Sequence, residues 1–285
     1  MKKISHWIAC VAVIGVLGGC ANTTDSGAIG LQRSQLLLVS SEALNAQAAQ
    51  GFQQLSADAQ SKKKLNTNAR QTQRVRKIGQ DLIAQTPIFR ADAKDWAWEI
   101  NVFDSDEINA FCAPGGKIGV YTGIIDRLKL TDDELAAVMG HEIAHALREH
   151  SREKASQQAL SNLLTSTVAA ATGVNGGLVD MGAQMMVHLP NSRGMELESD
   201  VMGLELMARA GYDPRNAPNL WRKMQQASGG NQGAAFLSTH PTGDNRIAAM
   251  EDTIPKVVGL YEEAKAKKAP APRKPPAQKK KQKKQ

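Results

Sequence analysis

Apolar residues recur along this chain in three different patterns, and each predicts a different kind of element. One unbroken apolar run, 7–17, follows Lys2 and Lys3 and leads into Leu17-Gly18-Gly19-Cys20. A basic start, a short apolar run and a small-residue site make a secretory leader, too short to span a bilayer. Helical spacing follows. Residues 31–55, rich in Leu, Ala, Gln and Ser, read as helix, and 64–85 as a second with Val75, Ile78, Leu82 and Ile83 on one face. Thr86-Pro87 ends it. The period then changes to two: Trp96, Trp98, Ile100 and Val102 alternate with Ala97, Glu99, Asn101 and Phe103, predicting a strand over 96–103. Further short strands are expected at 108–112 and 117–122, joined by a Pro114-Gly115-Gly116 turn.

Helical spacing returns at Thr131. Thr131-Asp132-Asp133-Glu134 reads as a capping box, with Leu135, Val138 and Met139 as the apolar stripe of a helix expected to run past His150. Residues 155–179 carry no charge and match a membrane span in length. Gln157, Gln158, Ser161, Asn162 and Gly176-Gly177 argue against a span, so helix, loop and helix packed over the preceding helix are expected. Ser192 should cap a helix reaching Ala210, stopped by Gly211-Tyr212-Asp213-Pro214. One more helix is expected over 214–227, a loop over 228–232, and a last helix from about Asn245 to Ala264. No internal repeat is present.

Composition changes this picture in three places. At 285 residues the chain can bury a core in one domain, with a small appendage at most. The 35 basic and 28 acidic residues suggest a basic protein, but 264–285 hold nine Lys, one Arg and no acid. Setting aside those ten and the two leader lysines leaves 23 basic residues, so the body is acidic and no nucleic-acid partner is expected. The tail of Lys, Pro, Ala and Gln is too polar to offset its ordering entropy, and disorder is expected there. Cys10 lies in the leader, and Cys20 after Leu-Gly-Gly resembles a bacterial lipobox cysteine, cleaved before and acylated. Ala21 at the following position favours sorting to the outer membrane. Only Cys112 then remains, a buried small hydrophobe with no disulfide partner. The expected organisation is leader 1–19, lipidated polar tether 20–30, domain 31–263 and tail 264–285.

The candidate chemistry lies in His141-Glu142-Ile143-Ala144-His145, an H-E-x-x-H on the capped helix. His141 and His145 fall about 40° apart on one face and can share one Zn²⁺. Glu142 stands beside them, placed to take a proton from water that the metal activates. A catalytic zinc needs a third protein ligand. The long form with Gly and a third His is excluded, because Arg148 and Ser151 stand at those positions. His150, about 140° round the helix from His145, is expected to point elsewhere. Glu196, Asp200 and Gly203 share one face of the later helix, so Glu196 is the candidate ligand and Asp200 the acceptor for a ligand ring N–H. Gly203 would let the two helices approach closely. Glu198, about 160° from Asp200, is the poorer candidate.

H-E-I-A-H followed by E-x-x-x-D, an upstream Asn-Ala-Phe-x-x-Pro-Gly-Gly and a downstream His-Pro resemble the prenyl-protease-like (HtpX-like) zinc metallopeptidases. The similarity is closer to their periplasmic lipoprotein branch (LoiP/BepA-like), nearer the LoiP form, since no room remains for a C-terminal repeat domain. The resemblance covers about 96–251. It implies an α+β, mostly helical fold, a gluzincin-type zincin core with a small sheet above the active-site helix. It implies one Zn²⁺ per chain on His141, His145 and Glu196, with Glu142 as general base. Asn109, Ala110, Phe111, Cys112 and Ala113 would border the cleft and bind extended substrate through the main chain. Cys112 stands where the family usually has an aliphatic residue. His240, in Ser238-Thr239-His240-Pro241, matches a family histidine that approaches the zinc, either stabilising an oxyanion or displacing the water. Arg246 is a second candidate for stabilising developing negative charge.

The expected protein is an endopeptidase of the bacterial envelope, held at the periplasmic face of the outer membrane by a lipid on Cys20, that removes misfolded or unassembled envelope proteins. Contact with outer-membrane assembly machinery, and of the basic tail with an anionic surface, are further expectations. The alternative is an assembly factor: a zincin scaffold that holds unfolded barrel proteins with little proteolysis.

Overall fold

A computed structural model describes residues 20–172, 190–228, 234–241 and 243–268. The leader, residues 173–189 and the tail beyond 268 lie outside the described residues, as does the last part, 173–179, of the helix, loop and helix expected over 155–179.

The described chain begins with β1 (Cys20–Ala21), paired antiparallel with β2 (Gln35–Leu36). Residues 20–30, read from their polarity as a tether, are held against the body. The Asp25 N–H donates to the Phe89 carbonyl at 2.7 Å, and the Ala28 and Ile29 N–H groups donate to the Glu205 carboxylate at 3.0 and 3.1 Å. Gly27, at φ +59°, sits on the Phe89 ring, where a Cβ would come within 2.4 Å of a ring carbon.

Helix α1 (Ser41–Ser61) starts ten residues later than its composition suggests. Ser40 takes the N-cap and accepts from the Ala43 N–H at 3.2 Å, so residues before it stay extended. Helix α2 (Ala69–Ile83) likewise starts late, capped by Asn68, and buries Val75, Ile78 and Leu82. Left-handed Lys63 (φ +55°) and Asn66 (φ +54°) separate the two helices.

Three strands follow: β3 (Glu99–Phe103), β4 (Ala110–Ala113) and β5 (Lys117–Tyr121). Their order is β3-β5-β4, with β3 parallel and β4 antiparallel to β5. The alternation from Trp96 overstates the first strand. Trp96 and Trp98 stack on each other 5.3 Å apart, and the Trp98 indole donates to the Ala93 carbonyl, which holds them in a turn. Among the described residues β4 is an edge strand. After α3 (Thr122–Arg127) comes α4 (Asp132–Leu147), which carries the expected capping box and is buried from Glu134 to Leu147.

Helix α4 does not run past His150. It ends at Leu147, and Glu149 takes a left-handed φ of +49° before α5 (His150–Thr172) sets out in a new direction. That conformation costs a non-glycine residue about 1–3 kcal/mol. Hydrogen bonds from Ser41 and Arg152 to the Glu149 carboxylate help hold it.

Helix α6 (Arg193–Arg209) is capped by Ser192 and closed by Gly211 at φ +80°, with the Tyr212 N–H bonded to the Met207 carbonyl. It crosses α4 with backbones in contact. A Cβ on Gly203 would lie 2.9 Å from the His141 nitrogen, and one on Gly140 would lie 3.0 Å from the Gly203 carbonyl oxygen. Then come α7 (Ala217–Ser228), α8 (Ala234–Thr239), which the sequence pattern does not predict, and α9 (Asp244–Lys268), packed on α6. Helix α9 continues past Ala264, where disorder is expected to begin, and the Lys268 ammonium donates to the Ala210 carbonyl at 2.7 Å. The result is the expected mostly helical α+β fold with a small sheet over α4. No described helix is long and apolar enough to cross a membrane.

The Gly140–Gly203 contact yields a paired prediction. Gly203→Ala should destabilise by about 1–3 kcal/mol through overpacking, despite alanine's better helix propensity. Gly259→Ala on α9, where a Cβ would meet nothing within 4 Å, should stabilise by about 0.5–1 kcal/mol. Urea unfolding of both variants checks the pair, and equal shifts would refute the close-contact argument.

Candidate metal centre

Four buried side chains converge where α4, α6 and the turn after α8 meet. Helix α4 supplies His141 and His145, α6 supplies Glu196 near its first turn, and His240 follows α8; their ligating atoms all lie within 4.8 Å of one another. The Nε2 atoms of His141 and His145 are 3.0 Å apart. The Glu196 oxygens lie 3.4 Å from the first and 3.3 Å from the second. His240 Nδ1 is 3.1 Å from Glu196 Oε1 and 3.3 Å from His141 Nε2. Ligands about 2.0–2.1 Å from a tetrahedral zinc sit about 3.3 Å from one another, which is the spacing found here. Two imidazoles and a carboxylate are also the donor set expected for zinc. The residues therefore fit the ion.

Glu142 faces the cluster. Its Oε1 is buried without a hydrogen-bond partner, 3.5 Å from His240 Nε2. Burial pushes its carboxyl above the usual carboxylate range, against the opposing pull of His240 and His141. Burial likewise pushes Glu196 up, but hydrogen bonds from His141, His145 and His240 outweigh it and hold Glu196 far below the carboxylate range. His141 is drawn down by burial and lifted more strongly by Asp200 and Glu196, to about 9.

Asp200 stands one turn beyond Glu196, as its spacing predicts, with Oδ1 2.9 Å from His141 Nδ1. Arg246 grips the same carboxylate with Nε and Nη2, both at 2.7 Å. Its Nη1 donates to the Pro241 carbonyl and lies 2.7 Å from Glu196 Oε2, and its plane lies over Trp221. All three guanidinium nitrogens are thus engaged by this chain's own acceptors. Arg246 is placed to hold the ligands.

His150 departs from expectation. Continued helix geometry turned it away, but the break at Glu149 brings it back under the centre, with Nδ1 2.8 Å from His145 Nδ1 and Nε2 3.0 Å from Glu198 Oε2. Glu198, discounted as a ligand, is the buried acceptor for His150, Arg148 and Arg33. Burial raises its carboxyl, and these partners pull it down to about 2. Asn191 was not foreseen at all. Its amide donates to Glu196 Oε1 at 2.7 Å and accepts from Lys154, and its only signal in the sequence is its place beside the Ser192 cap.

Beside the cluster lies a cavity of about 570 Å³. Helix α1 forms one wall with Leu44, Ala48 and Phe52, and β4 forms the other; Glu142, His145 and His240 lie at its floor. Ala110–Ala113 are strand residues there, while Asn109 precedes the strand, its carbonyl accepting from the Tyr121 N–H. Cys112 is buried, and burial raises its thiol well above its ordinary value, so it stays protonated and is no nucleophile.

A model of peptidase family M48 matches residues 69–254. The mitochondrial metalloendopeptidase OMA1 of Schizosaccharomyces pombe is 39% identical over 163 residues, covering 57% of this chain and 48% of OMA1. The Beta-barrel assembly-enhancing protease of Yersinia pestis is 29% identical over 191 residues, 62% of this chain and 37% of its own length. Metalloprotease LoiP of Escherichia coli is 26% identical over 266 residues, 88% of this chain and 97% of LoiP. The chain spans about half or less of the OMA1 relatives it matches. The resemblance drawn from H-E-x-x-H and E-x-x-x-D is borne out at the level of the family.

Metal content tests the centre. Zinc-replete protein should hold one zinc per chain, and His145→Ala should lose it. Zinc at a thousand times its Kd should raise unfolding free energy by about 4 kcal/mol, a gain removed by chelation. Arg246→Met strands two buried carboxylates and should cost the metal-free protein about 3–5 kcal/mol. Elemental analysis and calorimetric melting read both, and unchanged zinc in His145→Ala would remove the centre.

Proposed function

This chain belongs to peptidase family M48, and from that premise we propose that it is a zinc-dependent endopeptidase of the bacterial cell envelope. His141, His145 and Glu196 would hold one ion, which when bound polarises a carbonyl and lowers the pKa of a water at its open position toward neutrality. The observation that carries the proposal is Glu142, a buried carboxylate with one oxygen unpartnered, on the floor of a cavity walled by an edge strand. Glu142 accepts the proton of the attacking water and passes it to the leaving amine. Arg246 and Asp200 keep His141 and Glu196 in place, so Arg246 acts on the ligands and not on the substrate's oxyanion. His240 stands at the fourth corner. There it either donates to the developing oxyanion or occupies the position water needs.

Substrate would lie extended along β4, adding a strand through main-chain hydrogen bonds over Ala110–Ala113, while its apolar side chains enter the space between β4 and α1. Pairing through the backbone is indifferent to sequence. That suits misfolded or unassembled envelope proteins, whose exposed segments are extended and apolar. The leader and the lipobox-like cysteine support a lipid anchor at Cys20 and a site at the periplasmic face of the outer membrane, and the similarity to LoiP supports the envelope. A second reading, an assembly factor with little proteolysis, is favoured by His240 crowding the open corner and by the likeness to an assembly-enhancing protease.

Non-acylated protein assayed on an unfolded substrate separates these readings. Glu142→Gln should keep its zinc and lose cleavage by about 10²–10⁴-fold. His240→Ala should cleave faster than wild type if the histidine holds the enzyme off. Zinc bound with no cleavage by any form would favour the assembly factor. The basic tail is proposed to bind anionic headgroups: removing 269–285, which spares α9, should abolish salt-sensitive binding to anionic vesicles.

A further inference from the structure

The two ligand histidines are held from behind in different ways. His141 Nδ1 faces the Asp200–Arg246 pair directly. His145 Nδ1 instead faces a second histidine, His150, and the support reaches a carboxylate only beyond it. We infer that His150 and Glu198 are positioning residues for the metal ligand His145, and that the N-terminal segment 22–35 completes their support. The inference rests on the metal centre proposed above.

Proton bookkeeping carries the argument. His145 Nε2 points into the cluster, so as a ligand it offers its lone pair and carries its proton on Nδ1. That N–H meets His150 Nδ1 at 2.8 Å, which must therefore be the acceptor. The His150 proton then sits on Nε2, and its neighbour at 3.0 Å is Glu198 Oε2, a carboxylate able to accept it. Each donor in this chain meets one acceptor. Glu198 is in turn fixed by Arg148 Nε at 3.0 Å and by Arg33. Arg148 is fully buried and also reaches Asn22, Thr24 and the Arg33 carbonyl, while Gln35 donates to the Arg148 carbonyl. Removing the strap 22–35 would leave buried charges without partners and His150 free to rotate, and His145 would lose its fixed tautomer.

The test compares full-length chains lacking only the leader and Cys20 acylation, as wild type, His150→Phe, His150→Gln and Arg33→Met. Zinc affinity is read by chelator competition, and ligand geometry by the d–d absorption of the Co²⁺-loaded protein. Kinetics on an unfolded substrate and melting of the metal-free protein complete the set. His150→Phe should weaken zinc about 10–100-fold and shift the Co²⁺ bands, with kcat reduced and KM little changed. His150→Gln can accept from His145 and donate to Glu198, so it should recover most of the affinity. Arg33→Met should shift zinc affinity in the same direction as His150→Phe, by less. Wild-type affinity and spectrum in His150→Phe would overturn the inference. So would equal loss in Phe and Gln variants with equally lowered metal-free melting, which would reduce His150 to packing. Wild type without zinc would bring down the metal centre and this inference together, whereas zinc-loaded wild type beside an indifferent His150→Phe would bring down the inference alone.

Discussion

Two helices touching without side chains between them make the centre possible. Helices ordinarily sit about 8–10 Å apart because their side chains hold them there. Here Gly140 and Gly203 remove that spacer at the crossing of α4 and α6. Gly140 immediately precedes His141, and Gly203 shares a face with Glu196 and Asp200, two turns and one turn earlier respectively. The same close approach therefore sets the distance between His141 on one helix and Glu196 on the other. The sheet contributes a different constraint. β4, an outer strand of the three-stranded sheet, lies across α4, so an edge strand runs beside Glu142.

The second constraint is electrostatic. Glu142, Glu196, Glu198, Glu205 and Asp200 are all buried, as are Arg148 and Arg246. Burying carboxylates is costly unless each meets a cation or several donors. The charges here are threaded as acid–base chains leading from the ligands outward: Asp200 to Arg246 on one side, Glu198 to Arg148 and Arg33 on the other. Apolar residues would fill the same volume at lower cost. The chains fix direction instead, because a carboxylate gripped by two guanidinium nitrogens has one orientation.

Much of this was legible in the sequence, and the failures have physical causes. The capping box, the i, i+4 histidines and the Glu196, Asp200, Gly203 face are local in sequence, and helix geometry alone relates their members. Element starts at Ser41 and Ala69 were misplaced because composition shows where helix is tolerated, whereas Ser40 and Asn68 decide where it begins. His150 departs from its expected direction for a sharper reason. Extrapolating 100° per residue assumes an unbroken helix, and one left-handed residue, Glu149, invalidates it. No residue type marks that break, since glutamate favours helix and its carboxylate is held by Arg152 nearby and by Ser41 and Arg90, which are distant in sequence. Asn191 acts through a fold-dependent contact and leaves no pattern to find.

The docked N-terminal segment also bears on reach. A free spacer over 20–30 would let the domain wander about 15–20 Å from its anchor, as a flexible chain of that length does. With β1 beginning at Cys20 and Asn22 already bonded to Arg148, that slack is absent. A lipid on Cys20 would then act as a rigid foot. The mouth of the cleft would keep a fixed height and tilt above the bilayer, and substrates would be selected partly by how far from the membrane their extended segments emerge.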